Sequence, residues 1–185
     1  MLGPLRAGRE GDTLPLPASR KVRGLLAYLA LTPRPVSRTH LCELLWDSPV
    51  DPRGELRWSL SKIRGLLDDD VHKRVLTRED TVQLDLADCL VDALEITRAA
   101  EEGIETLSRE RLRSLAAFFG GELLEGLEMD ASPIFNGWLT AQRRRFRACH
   151  AAILEHLSAN VPDEAMHPYS SSRRLESGER NSWIR

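Results

Sequence analysis

Between residues 53 and 67 the sequence reads RGELRWSLSKIRGLL, and the side chains in it that could do chemistry are an indole, a hydroxyl and three cations: Trp58, Ser61, Lys62, Arg57 and Arg64. Their arrangement follows from the apolar residues between them. Leu56, Leu60, Ile63 and Leu67 recur at helical spacing and stack into one stripe. With Leu56 as origin and about 100° per residue, Trp58 falls near roughly 200°, Ser61 near roughly 140°, Lys62 near roughly 240°, and Arg57 and Arg64 at roughly 80 to 100°. The side of the helix that the core does not use therefore carries groups able to reach into a groove. A solvated basic face with a tryptophan docked on a neighbouring element fits the same pattern equally well.

Other reactive residue types form no such group. His40, His72, His150, His156 and His167 show no ligand spacing with one another or with cysteine, and neither a nucleophile elbow nor a phosphate loop is present in the sequence. The expectation is a protein that is not an enzyme and needs no metal or cofactor. Cys42, Cys89 and Cys149 are odd in number and far apart, which suits buried thiols in a reducing compartment. Trp46 and Trp138 each lie in an apolar period and read as packing residues. The run RRRFR at residues 143 to 147 spreads its consecutive cations over about 200° of helix, so it reads as a solvated surface rather than one contact face.

The elements that must position the outward set can be placed along the chain. Residues 2 to 16 flank the turn GREGD with short apolar stretches, which predicts two short strands. Ser19 caps a first helix with Val22, Leu25, Leu26, Leu29 and Ala30 on one face, ended by PRP. Ser37 caps a second, RTHLCELLW, and the two prolines of DSPVDP force a turn before the third, residues 53 to 67. RVLT and TVQLDL alternate around REDT, a hairpin over residues 74 to 86. Three helices followed by a hairpin are the order of a winged helix-turn-helix. Residues 88 to 160 read as wholly helical, with Ser108 and Ser132 as caps and GGELLEGLEMD as a connector anchored by Leu123, Leu124 and Leu127. From residue 161 the polar, Ser- and Arg-rich tail predicts disorder.

The fold class expected is thus mainly α with small β-sheets, in three parts: 1–87, a winged helix-turn-helix module; 88–160, a helical domain; and 161–185, a tail. The first part carries enough core to fold alone. The 185 residues hold 26 basic and 28 acidic side chains, so the net charge of -2 gives no overall signature of polyanion binding. Residues 1 to 87 carry 14 basic and 12 acidic groups, a net +2, against 8 and 12, a net -4, in residues 88 to 160. No stretch reaches the roughly 18 apolar residues of a membrane span, nor the apolar run of a signal peptide, which predicts a cytoplasmic protein with no membrane partner, nucleoid-associated if it binds DNA.

GPL…LPLPASRKVRGLLAYLALTPRPVSRTHLCELLW, LRWSLSKIRGLL and VDALEI…GGELLEGL…FNGWLTAQRRRFR occur in an order that resembles transcriptional activators of the antibiotic regulatory protein type. The resemblance covers about residues 2 to 160. It implies an OmpR/PhoB-type winged helix-turn-helix followed by an all-α, tetratricopeptide-like bacterial transcriptional activator domain, the latter only partial here. It further implies binding to direct repeats in promoter double-stranded DNA as a homodimer, and recruitment of RNA polymerase.

On that resemblance the third helix enters the major groove. Trp58, Ser61 and Lys62 face the bases and Arg57 and Arg64 flank them; cations donate to guanine edges or phosphates, and the indole packs on thymine methyls or sugar. Arg78 matches the wing position that reaches the minor groove, although Glu79 and Asp80 beside it repel phosphate. Ser37, Arg38 and Thr39 hold a phosphate through side chains and free backbone N–H groups. Two other readings stay open: a winged helix that binds protein, and a fragment that binds DNA without activating transcription.

Overall fold

A computed structural model describes residues 1–46, 50–159 and 182–184. The first hairpin joins β1 (Ala7–Arg9) to β2 (Asp12–Thr13), with Arg9 opposite Asp12. Its loop residues Glu10 and Gly11 have φ of 53° and 91°, the two left-handed positions that a tight type I′ turn requires. In α1 (Arg20–Leu31) the Ser19 hydroxyl accepts from the Val22 N–H, and the expected apolar face is buried. Ala27 and Tyr28 are buried too, so α1 is enclosed on more than one side.

Next come β3 (Val36–Ser37), α2 (Arg38–Leu45) and α3 (Pro52–Leu67). Asp51 caps α3 by accepting from the Gly54 N–H, and Pro52 sits in the first turn, where its missing donor is no loss; the helix begins one residue earlier than expected. The stripe Leu56, Leu60, Ile63 and Leu67 is buried as its spacing predicts. The strands β4 (Val75–Arg78) and β5 (Thr81–Leu84) pair antiparallel, with β3 on the free side of β5, Val36 opposite Val82. Three helices closed by a three-stranded sheet and its projecting hairpin are the winged-helix arrangement.

Beyond the hairpin the structure corrects the wholly helical reading. Cys89–Val91 form a strand, β6, before α4 (Asp92–Glu102), a 3₁₀ turn at Ile104–Thr106, α5 (Arg109–Ala116) and α6 (Pro133–Ala159). Ser108 caps α5 as expected, accepting from the Arg111 N–H. Ser132 stands at the expected cap position before Pro133, its carbonyl accepting from the Asn136 N–H, but its buried hydroxyl donates to the Leu45 carbonyl at the end of α2 and so ties two helices together. Arg143 also departs from the expected solvated surface. Its guanidinium pairs with Glu122 and Glu128 and donates to the carbonyls of Leu123 and Leu124, lashing the connector to α6.

The expected disordered tail lies outside the described residues except at Ser182–Ile184, and there it is a strand, β7. That strand stands between β1 and β6 in a four-stranded sheet of order β2-β1-β7-β6, antiparallel to β1 and parallel to β6. The reason is physical: two short edges face a common gap, and Ile184 buries its side chain in the core. The core itself is one cluster that crosses residues 87 and 88, joining Leu26, Leu45 and Ile63 to Ile96, Leu115, Phe135 and Leu139.

Candidate nucleic-acid interface

The face of α3 opposite its buried stripe presents Arg57, Trp58, Ser61 and Lys62 to solvent, the set that the helical repeat predicts. Trp58 is 49% exposed, an unusual state for the largest apolar side chain. Lys62 Nζ stands 5.4 Å from its ring centroid, near enough for a cation–π contact that steadies both. Ser59, which sequence spacing does not single out, is buried beside the stripe. Arg64 is half-buried and donates to Thr77 Oγ1 at 3.5 Å, reaching from α3 to the first wing strand.

Beside this face lies a groove of about 520 Å3 between α2, α3 and the wing tip. Arg38, Arg53, Arg57 and Arg64 wall it, and Glu79 and Asp80 bound it on the wing side. Sequence reasoning misses Arg53 as a site residue, since in sequence it only opens the helix. Its Nη2 stands 3.7 Å from Asp80, and Arg57 Nη2 stands 3.6 Å from Asp51; both pairs are exposed. A groove with four guanidinium groups can take phosphate oxygens through planar, directional N–H donors, provided these carboxylates yield.

The start of α2 is less open than expected. The Ser37 hydroxyl accepts from the His40 N–H, and the Arg38 N–H donates to the Asp80 carbonyl at 2.7 Å. Those two backbone donors are therefore engaged within the protein, while the Thr39 side chain is exposed and that of Arg38 partly so. The bond from Arg38 also fastens the wing tip to α2. At that tip Glu79 adopts φ 48°, and Arg78 is exposed at the end of β4.

Packing behind the interface explains the remaining aromatics. His40 Nε2 and the Tyr28 hydroxyl are 2.9 Å apart, and the Tyr28 ring meets Trp138 at 5.0 Å, so α2, α1 and α6 are joined by polar and aromatic contacts. Trp46 is buried at the end of α2. At the foot of the wing Arg74 donates to both Asp88 oxygens, at 2.6 and 2.9 Å. This hydrogen-bonded guanidinium holds the Asp88 carboxyl well below the usual carboxylate range. Burial pushes the neighbouring Cys89 thiol up to about 11, far from the reactive thiolate form. Among the described residues no group of three or more His, Cys, Asp or Glu is placed to hold a metal ion, and no helix is long and apolar enough to cross a membrane.

No family model matches the chain, and no curated protein matches it significantly. Among solved structures it is similar to Mycobacterium tuberculosis EmbR, in a complex with a low-affinity phosphopeptide, with a TM-score of 0.55 and 21% identity. The alignment covers 84% of this chain and 46% of that one, so the chain spans about half the length of its structural neighbour. At that identity the likeness is one of fold.

Proposed function

We propose that the chain is a sequence-specific DNA-binding regulator of transcription, with α3 as the recognition helix. The observation that carries this reading is the outward set of α3, Trp58, Ser61 and Lys62, beside a groove walled by Arg38, Arg53, Arg57 and Arg64. Base edges in the major groove are met by Ser61 and Lys62, phosphates by the groove arginines and Thr39, and the adjacent minor groove by Arg78. Action as an activator, on promoter direct repeats, as a dimer and through RNA polymerase, rests on the family resemblance of residues 2 to 160. A reporter assay run beside a binding assay separates an activator from a fragment that binds without activating.

Selection of bound duplexes from a random pool tests the reading directly. A shared motif should emerge, and Lys62→Ala and Arg64→Ala should each weaken binding to it, by roughly 1 to 3 kcal/mol where a bidentate base contact is lost. Loss of a phosphate contact alone lowers affinity about equally on all sequences. Recovery of no motif by folded protein rejects the proposal. The second reading, a winged helix that binds protein, is favoured by the carboxylates of Asp51 and Asp80 beside two of the groove arginines; it predicts no salt-dependent DNA binding at all.

A further inference from the structure

β1 and β6 do not pair with each other; each pairs with β7, one antiparallel and one parallel. Three residues, Ser182–Ile184, are thus what makes one sheet of the N-terminal hairpin and the strand that leads into α4. The gap they fill is shaped for them. At its centre Trp183 lies opposite Gly8 on one side and Leu90 on the other. A Cβ built on Gly8 would stand 2.3 Å from the indole, so the absence of a side chain at Gly8 makes the room that the ring occupies. Trp183 also lines a cavity of about 330 Å3 with Leu2, Pro4 and Phe118. Successive strand residues face opposite ways, and Ile184 accordingly enters the core, opposite Ala7 and Val91, both buried.

We propose that the gap between β1 and β6 is a strand-acceptor site for an extended peptide with an aromatic residue followed by an aliphatic one, filled by this chain's own Ser182–Ile184. Main-chain hydrogen bonds on both edges supply the attraction, and the Gly8 cleft and the Ile184 position supply the choice of side chains. Residues 160 to 181 separate the strand from the end of α6, and 22 residues can span up to roughly 70 Å, so reach does not oppose an intramolecular donor. The occupant clamps β6, and with it the start of α4, to the hairpin. This inference does not depend on DNA binding.

The full chain carrying Trp183→Pro tests it, because proline removes both the ring and a ladder donor. Amide exchange at residues 7 to 9 and 89 to 91 should accelerate by at least about tenfold, while α1 and α3 keep their protection. The synthetic peptide RNSWIR, the sequence of residues 180 to 185, should restore protection in the variant; the same peptide with proline for tryptophan should not. Unchanged exchange in the variant overturns the proposal. So does faster exchange that the peptide at about 1 mM fails to slow, since a micromolar to millimolar site is what β-augmentation by so short a strand should give. If Trp183→Pro unfolds globally, Trp183→Gly keeps the backbone donor and is read in the same way; global unfolding of both shows an obligatory core strand rather than an exchangeable one and overturns the proposal. Light scattering on the wild-type chain completes the test, because a dimer that Trp183→Pro dissociates would assign the donor to a second copy and overturn the intramolecular filling.

Discussion

Asp80 stands beside Arg53 and Asp51 beside Arg57, so under the proposed function each carboxylate competes with a phosphate for its guanidinium. Exposed pairs of this kind contribute at most about 1 kcal/mol, so they are readily displaced, and under the proposed function a bound duplex has to displace them. Asp80→Asn should therefore raise affinity about two- to fivefold on specific and non-specific duplexes alike and make the salt dependence steeper by about one unit. The backbone carbonyl that accepts from Arg38 is kept in that variant, so the wing stays in place. Gel-shift titrations across a salt series check it; a gain confined to one sequence would place Asp80 at a base instead. Asp80 is legible in sequence as a neighbour of Arg78, but its partner is not. Arg53 lies 27 positions from Asp80, and only the fold sets them side by side.

At the level of elements, the Arg74–Asp88 pair joins the first wing strand to the approach of β6, and Arg74 is buried while Asp88 is half-exposed. Asp88 is depressed in the folded protein, so its stabilising contribution is complete above the ordinary carboxylate range and is lost as pH falls below about 4 toward the folded value. Thermal melts of the wild type should thus lose stability below about pH 4, and Asp88→Asn should remove part of that slope. The same variant should cost about 1 to 2 kcal/mol at neutral pH, discounted from a fully buried pair because solvent reaches Asp88. Identical pH profiles for the two proteins would reject the assignment. The helices α1, α2 and α3 and the β4–β5 hairpin are legible because their apolar periods are long enough to declare themselves. β6 and β7 are not, since three residues carry no period and their strand state is conferred by the partners across the gap. Arg143 is hidden for a related reason: within RRRFR nothing distinguishes the cation that faces the connector from those that face water.

For the whole molecule, the expected division after residue 87 meets a core that does not divide there. Leu45, Trp46 and Tyr28 lie in the first part, yet the Leu45 carbonyl accepts from Ser132 and the Tyr28 ring packs on Trp138. Cutting after residue 88 would bare these apolar groups and leave a short chain to hold itself together with a reduced core. Fragment 1–88 should therefore show no cooperative thermal transition by circular dichroism, under conditions where the full chain melts cooperatively. A cooperative melt with undiminished DNA affinity would establish an autonomous binding module. The mainly α composition, the winged order and the rough extent of the helical part are all readable from sequence; the sharing of one core is not, because periodicity shows which face is buried and never against what.

The two ends of α2 belong to different surfaces. Its first residues carry Arg38, bonded to the wing tip, while its last carbonyls include Leu45, held by the residue that precedes α6. Eight helical residues make a rod about 12 Å long, stiff on the scale of either contact. In mechanical terms α2 is a strut with a tie at each end: it joins the residue before the 27-residue α6 to the arginine edge of the groove by a path that does not run through α3.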